Sequence, residues 1–214
     1  MKHDVKQENH ILCTGRVMHK NYNEDTGTLF MVVGIFTPKL IWNRNYENED
    51  RFNRDFPAFV MRGEKAAETF GEFEVGDYVS IRGHITTESS MRPIGNNTFR
   101  REWRTLLVAD YIYTDGSRNG FCNVTLGGEI IRVYRNPDPG HNLYVVTVGM
   151  NSEAGETRRA SFVYFDRNME LEPKVGDHVT IDGIIQTKRI PAEEGRRAVN
   201  LLSIVSRFLV IERA

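Results

Sequence analysis

The chain has 214 residues, 40% hydrophobic and 27% charged, with 28 Lys and Arg against 29 Asp and Glu. It can bury cores and stay soluble; no apolar run approaches the ~20 residues that span a bilayer, and the opening "MKHDVKQENHILCTG" lacks the apolar stretch of a secretory signal. A net charge of −1 argues against a strongly basic polyanion binder, although phosphate binding depends on where positive charge sits, not on its total. Cys13 and Cys122 form no CxxC metal-ligand pair and read as reduced thiols of a cytosolic protein.

The first strand-like run is "ILCTGRV" at 11–17, followed by "TLFMVVGIF" at 28–36 and "FPAFVM" at 56–61. Between the last two lies a long loop, 37–56, with Trp42, Tyr46, Phe52 and Phe56 among Arg44, Arg51 and Arg54. "RGEKAAETFGEF" at 62–73 is rich in helix formers. Next come "EVGDYVSIRGHI" at 74–85, a polar loop over 86–103, and the β-rich "TLLVADYIY" at 105–113. The order then repeats after a polar hinge, "DGSRNG" at 115–120. Its members are "VTLGGEIIRV" at 124–133, "LYVVTVGM" at 143–150, "ASFVYF" at 160–165, the short helical candidate "DRNMELEP" at 166–173, "KVGDHVTIDGII" at 174–185 and "NLLSIVSRFLVIE" at 200–212.

The twin phrases align the halves: Val75, Gly76, Asp77, Val79, Ile81, Gly83 and Ile85 recur as Val175, Gly176, Asp177, Val179, Ile181, Gly183 and Ile185. Each phrase reads as a glycine cap and an Asp turn leading into a strand with one inward face, and its second glycine marks a bend. Three strands, a short helix and two strands is the order of the OB-fold, a five-stranded Greek-key barrel. The fold class is therefore all-β with short helices: two tandem OB barrels, one over 1–114 and one over 121–214, joined by 115–120.

The first half resembles bacterial single-stranded DNA-binding proteins. Gly15, Arg16 and Val17 match that family's strand start. Phe56, Val60, Gly63 and Ala66 match its strand-to-helix passage, and Gly76, Val79 and Gly83 its last motif. The second half matches mainly through the twin phrase and its flanking strands. The resemblance implies single-stranded DNA binding with little sequence preference, in replication, recombination or repair. It also implies four barrels around one strand, hence a homodimer of this two-barrel chain. The family's linker and acidic tip are expected to be absent, since the chain stops at "RFLVIERA".

Such binding needs aromatic faces for bases and a cationic groove for the backbone. The hairpin over 86–103 interleaves Phe99 and Trp103 with Arg92, Arg100 and Arg101; its counterpart over 187–198 carries Lys188, Arg189, Arg196 and Arg197. Both are net positive in a chain that is net negative. The resemblance implies stacking at Phe56 and close to Trp42; Trp42 and Tyr46 either stack on bases or pack on the barrel or a partner chain. Where the family commonly has a second stacking aromatic the first half has Arg62, and the second half has Phe165 there but Arg159 in place of Phe56. Arginine planes also stack on bases.

Phe30 and Tyr144 are placed towards the open groove, and Arg16, Lys20 and Arg132 are cations near the first strand of each half. No P-loop, HExxH, GxSxG or Cys/His metal spacing is present, so a binding protein without cofactor is expected rather than an enzyme. The rival reading is a tandem-barrel protein-interaction module. The expected setting is cytoplasmic, on DNA or RNA, with a nucleoid, mobile-element or phage context.

Overall fold

The computed structural model describes residues 7–38, 52–95, 98–136, 142–151, 157–166, 171–190 and 199–213. The first barrel consists of β1 (Asn9–Asn23), β2 (Thr28–Pro38), β3 (Phe52–Asp55), β4 (Ala58–Arg62), α1 (Glu64–Glu72), β5 (Tyr78–Gly95) and β6 (Thr98–Thr114). The second consists of β7 (Phe121–Arg135), β8 (Leu143–Asn151), β9 (Thr157–Phe165), β10 (His178–Ile190) and β11 (Val199–Glu212). Each closes on itself. β1 pairs with both β2 and β5, and β4 joins β2 to β6; likewise β7 pairs with β8 and β10, and β9 joins β8 to β11. These are two OB barrels, as the strand order predicts.

Alternation drives the closure. On β1, Ile11, Cys13 and Val17 point inwards while His10, Leu12 and Arg16 face out. Leu29, Met31, Val33, Phe59, Ile81 and Leu107 fill one interior; Leu126, Val146, Val148, Phe162, Ile181 and Ile185 fill the other. A bulge at Met18 and another at Ile131 let the first strand of each barrel coil into the ring.

The repeated Val-Gly-Asp is a seal between strands. Gly76 donates its N–H to Val17 O and Val17 donates to Asp77 O, each at 2.8 Å; Gly176 and Ile130 do the same at 2.9 and 2.8 Å. Gly76 and Gly176 have φ of 110° and 94°, a conformation that favours glycine. The Asp77 carboxylate accepts Glu74 N–H at 2.8 Å, and that of Asp177 accepts Lys174 N–H at 3.0 Å.

Two expectations change. Residues 52–55 belong to a strand rather than a loop, because Ile35–Pro38 extends β2 far enough to pair with them. The helical candidate at 166–173 is not helical over Leu171–Pro173, where the Asp166 carboxylate takes Leu171 N–H at 3.1 Å.

The barrels meet through β1 and β7, antiparallel, with Ile11 opposite Val124. Gly15 faces Val79 and Gly128 faces Val179, so Ile11 and Val124 hold equivalent places in their own barrels. A pseudo-twofold axis therefore passes through that pair. The same symmetry recurs at the hairpins. Thr87 donates its hydroxyl to Arg159 O, while the Thr187 hydroxyl accepts Phe56 N–H at 2.8 Å.

Asp55 completes the second contact, taking Thr187 N–H at 2.6 Å in a buried position. Burial pushes its carboxyl above the usual range despite the Thr187 donors. The ionised form is thus disfavoured on folding, and stability that Asp55 contributes when protonated is lost as pH rises through its folded pKa. Asp55→Asn keeps an acceptor and removes the charge. It is expected to match or exceed the wild-type melting temperature at pH 7 and to lose that advantage on acidification. A gap between the two proteins that does not change with pH would refute this.

Candidate nucleic-acid interface

The β5–β6 hairpin extends past the barrel as an arm, with Met91 opposite Arg101, Arg92 opposite Arg100 and Pro93 opposite Phe99. Long paired strands hold the loop predicted over 86–103 in a defined pleat, so successive side chains leave opposite faces. Phe99 is 56% exposed, and Arg100, Arg101 and Arg104 are exposed. Arg62, at the end of β4, reaches this arm through a 2.5 Å ion pair with Glu88; that hydrogen bond raises the guanidinium pKa further.

Phe30 lies on the outer face of β2, 40% exposed and opposite Val60, with Arg62 opposite Thr28 on the same face. An aromatic, a guanidinium and a cationic arm therefore adjoin on one side of the first barrel. The second barrel reproduces part of this. Phe165, opposite Leu143, is half exposed, and Arg159, opposite Gly149, is exposed. Phe165 holds the place of Arg62 and Arg159 that of Phe56, as the sequence alignment has it. Arg132 is exposed beside the β7 bulge and Lys188 is exposed on β10.

Two assignments are corrected. Tyr144 is buried, 4% exposed, and stacks on Tyr164 with centroids 6.4 Å apart. Matching the β1 and β7 bulges sets Tyr144, opposite Arg135, level with the inward Leu29, opposite Tyr22, and so on the other face from Phe30. Lys20 is not a groove cation. Its side chain is 11% exposed, and its ammonium donates to the carbonyls of Phe70, at 2.8 Å, and Phe73 while pairing with Glu74 at 3.2 Å. These are end carbonyls of α1, where a cation complements the helix dipole.

Arg16 has a structural task as well: its Nε donates to Gly76 O at 3.1 Å, although the residue stays exposed. Phe56 is half-buried, edge-on to Phe36 at 6.3 Å, and its amide binds the other barrel's hairpin. Trp103 and Arg189 lie on β6 and β10, but their side chains are outside the described set. Trp42, Tyr46, Arg196 and Arg197 lie wholly outside the described residues.

The sequence reading missed Tyr111 and Tyr113. Both are exposed, with Lys65 Nζ 4.9 Å from the Tyr111 ring centre and the Arg82 guanidinium 6.0 Å from that of Tyr113. The alternation in "ADYIYT" carried that signal. No helix among the described residues is long and apolar enough to cross a membrane, and no group of three or more His, Cys, Asp or Glu side chains among them could hold a metal.

No family model and no curated protein matches the chain. Solved structures do. The wild-type single-stranded DNA binding protein from Thermus aquaticus aligns with a TM-score of 0.62 at 14% identity, over 98% of this chain and 94% of that one. A deletion variant of the same protein gives 0.64 at 13% identity, over 98% and 95%. At such identities the likeness is one of fold: the resemblance read from the first half of the sequence extends, as architecture, over both barrels.

Proposed function

We propose that this chain binds single-stranded DNA with little sequence preference, stacking bases on exposed aromatics and neutralising phosphates with arginine and lysine. The observation that carries the reading is the β5–β6 arm, where exposed Phe99 and Arg101 leave one face and Arg100 and Arg104 the other, in a chain whose net charge is −1. Phe30, Phe165, Arg62, Arg159, Arg132 and Lys188 continue the surface. The fold shared with the single-stranded DNA binding protein from Thermus aquaticus supports the choice of ligand. In the cell the protein covers exposed strands during replication, recombination or repair, in the cytoplasm, as a binding protein of two domains, 1–114 and 121–214.

A homodimer with four barrels is part of the proposal. The strands β6, β5, β1, β7, β10 and β11 form a continuous face across the seam. It exposes Leu12, Tyr111, Tyr113, Phe121, Phe208 and Val210, an apolar set suited to a second copy. Light scattering should give twice the chain mass; a strict monomer would remove this element while leaving strand binding intact.

Fluorescence titration with oligo-dT and oligo-U at two salt concentrations tests the ligand. Quenching and an affinity that falls with salt are expected, stronger on dT. The apolar face also favours a second reading, a protein-interaction module. An unchanged signal at micromolar protein would leave that reading standing in place of strand binding.

A further inference from the structure

Cys13 and Cys122 are the two cysteines of the chain, and the fold sets them directly opposite each other on β1 and β7. Their sulfurs are 2.8 Å apart, and the residues are 0% and 3% exposed. Opposite residues of antiparallel strands have Cα atoms about 4.5–5.5 Å apart, inside the range of about 4.4–6.8 Å that disulfides span. The pseudo-twofold partner of this pair is Leu126 opposite Asn9. There Leu126 fills the core, while Asn9 exchanges hydrogen bonds of 2.7 and 2.8 Å with the Ile85 backbone. The seam is thus built without sulfur on one side of the axis and with two facing thiols on the other.

We propose that Cys13 and Cys122 are an oxidisable dithiol, which a peroxide converts to an intrachain disulfide that locks the two barrels together across their seam. A thiolate attacks one peroxide oxygen, the O–O bond breaks, and the departing hydroxide takes a proton to leave as water. The sulfenic acid formed is then attacked by the facing sulfur; the S–O bond breaks and a second water leaves. Two thiols are oxidised and one peroxide is reduced.

Burial and the neighbouring thiol hold the Cys13 pKa well above its ordinary value, so the closed seam reacts slowly. Oxidation proceeds when β1 and β7 part locally, and Cys122, the less enclosed of the two, supplies the first attacking thiolate. The bond closes a long loop and opposes separation of the barrels. The arm and the outer face of β2 lie away from it, so strand binding is preserved.

The test uses the full chain, incubated with hydrogen peroxide a few degrees below its melting temperature and compared with a dithiothreitol-treated sample. The expected product is a chain, not cross-linked to another, lighter by about 2 Da, with no thiol titratable in denaturant. Its melting temperature should rise by roughly 5–10 °C on the scale for chains of this size. C122S and C13A, the latter as a second route should the former fold poorly, should show neither the mass loss nor the shift. Retention of both thiols, oxygen adducts that persist, or cross-links between chains would overturn the proposal.

Discussion

Gly83→Ala is expected to destabilise the first barrel by about 4 kcal/mol or more, the range of severe steric lesions. Gly83 faces β6 where that strand bulges at Asp110, and a Cβ built there would stand 1.9 Å from Val108 O. That atom is backbone, held in the strand, and cannot step aside as a flexible side chain would. The corner would have to open, taking with it the Asp110 bulge opposite Arg82 and Gly83 that turns the barrel. Gly183 is its twin, but there the nearest atom, Val205 O, is 2.6 Å away. Gly183→Ala should therefore cost less. Thermal melting checks both, with a drop of roughly 10 °C expected for Gly83→Ala; a melting temperature within about 2 °C of wild type would contradict the close-approach argument.

Replacing Arg100 and Arg101 together by alanine is expected to weaken oligo-dT binding by about tenfold or more at low salt. It should also flatten the plot of log affinity against log salt by about 1.4, two phosphate contacts at roughly 0.7 each. Both residues are exposed on a paired arm away from the barrel core, so the fold should survive and the melting temperature should hardly move. Arg132→Ala, on the second barrel, should have a smaller effect, since the aromatic-cationic arm belongs to the first. An unaltered salt slope in the double variant would remove the arm from the binding surface.

The twin phrases made the barrels legible because turn chemistry and alternation are local. Val-Gly-Asp needs a left-handed glycine and a carboxylate that reaches a nearby amide, and both needs are written in consecutive residues. The arm was legible for a similar reason, as a run of arginine and aromatic residues. Lys20 was misread because a lysine on a strand looks the same whether it faces solvent or a helix end that arrives fifty residues later. Tyr144 was misread because an alternating apolar run does not number itself; the paired bulges at Met18 and Ile131 set its register, and they exist only in the folded sheet.

The sequence by itself determined two OB barrels, their order of strands, the sealing turns and a cationic hairpin, since each follows from period, turn residues and clustered charge. Only the tertiary structure decided how the barrels face one another. The pairing of β1 with β7, the Thr87 and Thr187 contacts and the meeting of Cys13 with Cys122 join residues 72 or more positions apart, and no local pattern encodes a partner at that distance.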